Sequence, residues 1–290
     1  MSTPLIRDLA WRFIGGETLE AGIATARALR ARGISTTINH VGTHVRSASA
    51  AVAATEVAIA SVRRIAGERL DCYLSLKLTQ LGLDVDEALC AAQLHRVLDA
   101  AAHAAVFVRL DMEESRYVEP TLRLFDAVRA AYGADAVGIV LQSYLRHRPD
   151  DLAREAAAGS RIRLVKGGYW EPAEVVWRRR DEVDGAFLAQ AGYLLRHGRR
   201  PALATHDPRA IARIRSIAAA LGLEQDAFEF QLLHGVREDL QDALVREGYR
   251  VRSYVPFGEQ WYEYALGCIR RLPGGALDRL TERFRGSEAP

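Results

Sequence analysis

Arg161-Ile-Arg-Leu-Val-Lys166-Gly-Gly-Tyr-Trp170 is the stretch from which the rest of the chain can be read. Ile162 to Val165 is a short apolar run of the kind that makes a buried strand. It runs straight into a glycine pair followed by two aromatics, with cations at Arg163 and Lys166. A strand end that delivers charge, then glycines that let a backbone come close, is how α/β barrels build sites. The lysine adds to this. Of 39 Lys plus Arg residues only two are lysine, Lys77 and Lys166, and each closes an apolar run. A compact ammonium binds differently from a planar guanidinium. Both positions are therefore candidates, against the plainer reading of two survivors in an Arg-rich composition.

Working outward, the same strand-then-helix unit repeats along the chain. Predicted strands cover 34–41, 72–76, 105–110, 136–141, 162–165, 201–204, 228–232 and 250–255. Predicted helices separate them at 48–68, 86–103, 119–132, 150–158, 181–197, 208–221, 238–247 and 259–272. Most strands read as continuous apolar runs, the mark of parallel strands covered on both faces. Eight such units in about 250 residues predict a single (β/α)8 TIM-like barrel over 34–290, preceded by short N-terminal helices over 1–33. That lead divides into helices at 4–13 and 19–32, the second ended by Gly33. An open doubly wound sheet is the runner-up, but no Gly-x-Gly-x-x-Gly follows the first strand.

Composition narrows the function classes. A hydrophobic content of 49% supports a large core, and a net charge of +2 gives no general reason to expect nucleic acid. Cys72, Cys90 and Cys268 show no paired spacing and fit free thiols in a reducing compartment. There is no secretory signal pattern and no apolar run near the ~18 residues of a membrane span. A cytoplasmic protein is expected.

Barrel enzymes work at the carboxyl ends of their strands. Those ends carry Asn39, Lys77, Asp111, Gln142, Arg163 with Lys166, Thr205 with His206, Gln231 and Tyr254. Singly, each is what any wet loop start would show. Together they describe a wide, cationic mouth suited to a large anionic ligand, such as a flat cofactor with phosphates. His40 and His44 have a metal-ligand spacing, but no Glu lies between them and they fall at a strand end, so no metal is expected. No serine sits in a Gly-x-Ser-x-Gly turn. A Schiff base on Lys77 or Lys166 remains an open mechanism on these residues.

Arg163 to Trp170 resembles the Arg-Leu-Val-Lys-Gly-Ala-Tyr-Trp motif of the proline dehydrogenase family. Six further blocks match it in order: 75–79, 109–113, 141–144, 204–208, 228–235 and 254–258. The resemblance spans about 34–272. It implies a barrel with FAD at its mouth that oxidises L-proline to 1-pyrroline-5-carboxylate by hydride transfer to flavin N5. Electrons would then pass to a quinone, which would bring the chain to the inner face of the membrane. By resemblance, Arg163 lies near N5. Met112, Gln142, Lys166, Gly167, Gly168, Thr205 and His206 contact FAD. Lys77 faces the substrate carboxylate, Asp111 belongs to the network holding it, and Leu233, Tyr254 and Tyr264 wall the ring.

Two departures bear on the substrate. The family's first strand ends Leu-Gly-Glu, where this chain has Val41-Gly42-Thr43. The family's last helix carries Tyr-x-x-Arg-Arg, whose arginines grip the substrate carboxylate. Here Tyr264 is followed at that spacing by Gly267 and Cys268, with Arg270-Arg271 three residues late. Three residues turn a helix by roughly 300° and advance it about 4.5 Å. Either the carboxylate pocket is remodelled for another cyclic amine, or the helix is shifted so that Arg270 and Arg271 still reach it. A barrel that binds flavin without turnover is the non-enzymatic alternative.

Overall fold

In a computed structural model, residues 10–146 and 148–271 are described, with side chains for all of these except 149 and 268–271. The expected helix at 4–13 lies largely outside the described residues. Eight strands close into one barrel: β1 (Ser35–His40), β2 (Cys72–Leu76), β3 (Val108–Leu110), β4 (Val137–Gln142), β5 (Arg161–Val165), β6 (Ala202–Ala204), β7 (Glu229–Leu233) and β8 (Arg250–Phe257). Each pairs parallel with its sequence neighbour, and β1 closes on β8 in the register Ile38 to Val255. The open sheet is thereby excluded.

The helices start where their sequences dictate. Ser47 caps the helix Ala48–Glu68 by accepting from Ala50 N at 3.2 Å, and Asp86 caps Glu87–Ala104 by accepting from Leu89 N at 2.7 Å. Asp207 caps Pro208–Ala220, with the proline in the first turn where a missing N–H leaves no bond unmade. Helix Leu19–Ala31 packs beside β1 and β8 and ends at Gly33, whose φ of +76° only glycine adopts readily. Helix Trp261–Arg271 ends the described chain.

Most strands were expected to be continuous apolar runs, and several are not. Within β2, β3, β5 and β7 polar and apolar residues alternate. Leu74, Leu76, Val108, Leu110, Ile162, Leu164, Phe230 and Leu232 join the apolar core under the helices. The alternate residues Tyr73, Ser75, Arg109, Arg161, Arg163, Glu229, Gln231, Arg252 and Tyr254 meet one another inside the barrel. A barrel strand has one inward and one outward face, so both faces are buried while only one is apolar. At Gly138 of β4 an added Cβ would lie 2.5 Å from Arg161 O and 2.9 Å from Arg109 Nη1. Glycine there leaves room for the interior cations.

Two tiers fill the interior. In the lower tier Arg252 is fully buried. Its Nε donates to both carboxylate oxygens of Glu229 at 3.0 Å, and its guanidinium stacks 3.5 Å from the Tyr73 ring centroid. Burial alone would raise the Glu229 carboxyl, but Arg252 holds it below its ordinary range. Arg109 bonds the carbonyls of Ile139 and Arg161, and Arg161 lies over Phe107. Breaking a buried pair strands a charge. Arg252→Met should therefore cost about 3–5 kcal/mol in urea unfolding, and adding Glu229→Gln should recover part of that loss. A loss under about 1 kcal/mol would show that the pair is not needed.

Candidate active site

The upper tier is built around one carboxylate. Asp111, at the end of β3, is 6% exposed and accepts from four side chains. Ser75 Oγ donates to Oδ1 at 2.6 Å and Arg163 Nη2 to the same oxygen. Tyr254 hydroxyl donates to Oδ2 at 2.8 Å and Lys77 Nζ at 3.3 Å. Burial would push the Asp111 carboxyl up, but Arg163 and then Lys77 pull it below the ordinary range, and the Ser75 and Tyr254 hydroxyls add to this. Tyr254 is shifted upward by burial and by that carboxylate. The donors come from β2, β5 and β8, so the cluster exists only in the closed barrel.

The two cations differ in what they have left to give. Lys77 makes three long contacts, to Asp111 at 3.3 Å, Asn39 Oδ1 at 3.4 Å and Tyr254 at 3.5 Å. Arg163 also reaches Gln231 Oε1 at 3.3 Å, lies over the Tyr254 ring, and leaves its buried Nε without a hydrogen-bond partner. A Schiff-base lysine is activated by desolvation without a countercharge. Here Lys77 donates to Asp111, and Lys166 donates to Asp184 at 2.5 Å and Asp207 at 3.4 Å. The geometry speaks against that mechanism for both.

Most of the remaining candidates lie at or just past the carboxyl ends of β3 to β7. Gln142 donates to Glu113 O at 2.8 Å, and Met112 is buried in the apolar core. Gly167 has φ +113°, and an added Cβ would stand 2.2 Å from the Tyr144 ring, so the turn after Lys166 requires glycine. Gly168 follows it. Thr205 is buried and its hydroxyl accepts from Asp207 N at 3.1 Å. His206 Nε2 accepts from Leu233 N at 2.8 Å, which ties β6 to the end of β7. Tyr264 lies close enough to Tyr254 to raise its hydroxyl and packs near Trp261 and Ala265. Helix Trp261–Arg271 is a continuous α-helix, so no local insertion separates Tyr264 from Arg270 and Arg271. The side chains of Arg270 and Arg271 lie outside the described ones.

Sequence reading passed over Ser75 and Glu113. Ser75 is two residues before Lys77, and that inward period of two was the available signal. Glu113 is buried and bonds Thr79 N at 3.1 Å and Thr79 Oγ1 at 2.6 Å, and burial raises its carboxyl. Among the described residues His44, Glu113 and Glu114 have ligand-type atoms within 4.8 Å of one another. His44 is already held by Asp84 at 2.8 Å and Glu113 by Thr79, while His40 packs on Phe257 instead.

The donor set fits an anionic, acceptor-rich cofactor better than a metal. Cations and an unpartnered buried N–H converge at the mouth, next to a glycine turn. Comparison with known proteins places the fold and the chain in a family. A family profile for proline dehydrogenase matches residues 22–264. Proline dehydrogenase 2 of Bacillus subtilis is 36% identical over 267 residues, 92% of this chain and 88% of that one. Proline dehydrogenase of Deinococcus radiodurans is 35% identical over 282 residues, 96% of this chain and 91% of that one. Among solved structures, proline utilization A (PutA) from Bdellovibrio bacteriovorus, inactivated by N-propargylglycine, superposes with a TM-score of 0.84 at 26% identity. The match covers 90% of this chain but only 32% of that one.

His206 gives the pH dependence a sign. Burial first, then Arg237 and Lys166, push its imidazole down from 6.5 to about 4. As pH falls, the unfolded chain takes up the proton before the folded one. Stability is therefore fully present above about pH 6.5 and is lost toward pH 4, by up to about 3 kcal/mol. His206→Asn should flatten the urea midpoint between those limits by roughly one proton's worth of slope. An unchanged slope would mean that His206 is solvated.

Proposed function

We propose that this chain, which belongs to the proline dehydrogenase family, oxidises L-proline to 1-pyrroline-5-carboxylate with FAD as its cofactor. The observation that carries the reading is the loosely held ammonium of Lys77. Its contacts of 3.3 to 3.5 Å exceed the 2.7–3.2 Å of a well-formed N–H···O bond. Such a group can exchange one of them for a substrate carboxylate at little cost, whereas a carboxylate buried without a cation is very costly. FAD, when bound, supplies the hydride acceptor. Lys166, Gly167, Gly168, Met112, Gln142, Thr205 and His206 would hold it. Arg163 would keep a fixed positive charge beside the ring, where charge tunes a flavin's electronics. Asp111 orients Arg163 and Lys77 and keeps both cations from scattering toward water. Leu233, Tyr254 and Tyr264 would wall the substrate ring and exclude solvent.

The second carboxylate partner would be Arg271 rather than Arg270. Position 271 is seven residues beyond Tyr264, close to two full turns, and so returns to the same helix face. Arg270 falls well off that face. The helix spacing together with Thr43 is the one observation favouring a second reading, a larger cyclic amine. Electrons would leave to a quinone. No helix among the described residues is long and apolar enough to cross a membrane.

Rapid mixing of the flavin-loaded protein with substrate under anaerobic conditions tests both readings. Fast, saturable bleaching by proline is expected, with Arg271→Ala weakening proline binding by about 2–5 kcal/mol and Arg270→Ala by far less. Faster reduction by pipecolate than by proline would move the substrate to the larger ring. A protein that stays colourless with excess FAD would sink the proposal.

A further inference from the structure

We propose that the chain carries a divalent transition-metal site, suited to zinc, beside the barrel mouth, with His44, Glu113 and Glu114 as its ligands. His44 stands on the loop after β1, and the two glutamates stand just past the end of β3. One ligand-type atom from each lies within 4.8 Å of the other two. His44 Nε2 and Glu114 Oε1 are 3.4 Å apart. That is long for a charge-assisted hydrogen bond, which closes to about 2.7–2.9 Å. It is roughly the edge of a tetrahedron whose ligands stand about 2.1 Å from one ion.

The hydrogen bonds already made by these groups hold them from behind. His44 Nδ1 lies 2.8 Å from one oxygen of Asp84, and the Tyr117 hydroxyl donates to the other. An ionised carboxylate can only accept, so the ring proton sits on Nδ1. The neutral imidazole then turns a bare lone pair on Nε2 toward Glu114 and Glu113. A proton placed there would serve Glu114 alone, whereas a metal ion serves all three acceptors. A carboxylate that fixes the tautomer of a ligating histidine from its far side is the usual outer shell of such a site. Glu113 is 1% exposed, and Thr79 donates to its two oxygens at 2.6 and 3.1 Å. Among the described residues no Lys, Arg or His forms an ion pair with it. Glu114 Oε2 is buried and has no hydrogen-bond partner.

The donor set selects the metal. One imidazole and two carboxylates suit a borderline ion such as zinc, and not one that seeks thiolates. Three protein ligands leave a fourth position for water. The ion has a way in, because the side chains of His44 and Glu114 are 26% and 27% exposed. Its role follows from its place. Bound zinc would tie the loop that carries Thr43 to the end of β3. Asp111, Lys77 and Arg163 take no part, so the site stands or falls independently of the proposed oxidation.

The experiment uses the flavin-loaded full chain, stripped with a chelator and titrated with zinc. Calorimetry should show one zinc per chain, and crystals soaked in zinc should give an anomalous peak between His44 Nε2 and the two carboxylates. Glu114→Gln keeps the size of the side chain and should weaken zinc binding by about tenfold or more. Asp84→Asn should weaken it roughly ten- to a hundredfold, acting only through the histidine. If either variant fails to fold, the titration and the anomalous peak decide on the wild-type chain. No binding, a peak only at other histidines, or equal affinity in the wild type and Glu114→Gln overturns the site.

Discussion

The structure depends on a buried carboxylate that must be matched by buried cations. Asp111 is nearly inaccessible, yet four donors from β2, β5 and β8 converge on it. A lone carboxylate at that depth would be driven to its neutral form. Here Arg163 and Lys77 keep it charged, and it in turn fixes where they point. The same constraint explains the interior Gly138, which leaves room for Arg109, and the alternation of polar and apolar positions along the strands. A barrel filled by aliphatic layers could close without these partners. This one closes around paired charges.

Much of this was written in the sequence. The eight strand–helix units and the strand-end residues were legible because hydrophobic runs, capping residues and glycines act locally. Ser47, Asp86 and Pro208 start their helices by chemistry confined to one turn. The lower tier was not legible. Arg109, Arg161, Glu229 and Arg252 lie on four strands scattered over some 140 residues, and only barrel closure makes them neighbours. Reading most strands as continuous apolar runs hid them, although Tyr73-x-Ser75-x-Lys77 and Phe107-x-Arg109-x-Asp111 carry the inward period of two. Ser75 was missed for the same reason.

The two ends of the barrel use arginine differently. At the mouth, Arg163 and Lys77 share a carboxylate and keep donors in reserve, as a site needs if it is to bind an anion and release it. At the base, Arg252 is fully satisfied by Glu229, Thr36 O and Asp71, while its neighbours Arg109 and Arg161 face a cleft. Arg161 and Arg163 are two residues apart on β5, about 7 Å along the strand. One short strand thus serves both tiers, which is why the stretch from Arg161 to Trp170 says so much about the whole.

The central claim is that Asp111 organises the cations that receive substrate. Its most direct test is proline-driven flavin reduction in Asp111→Asn under anaerobic rapid mixing, with flavin content measured on the same sample. Asparagine keeps the size and removes the charge that orders Lys77 and Arg163. The account predicts retained flavin, a reduction rate down by at least tenfold and weaker saturation by proline. Wild-type reduction with unchanged saturation would contradict it.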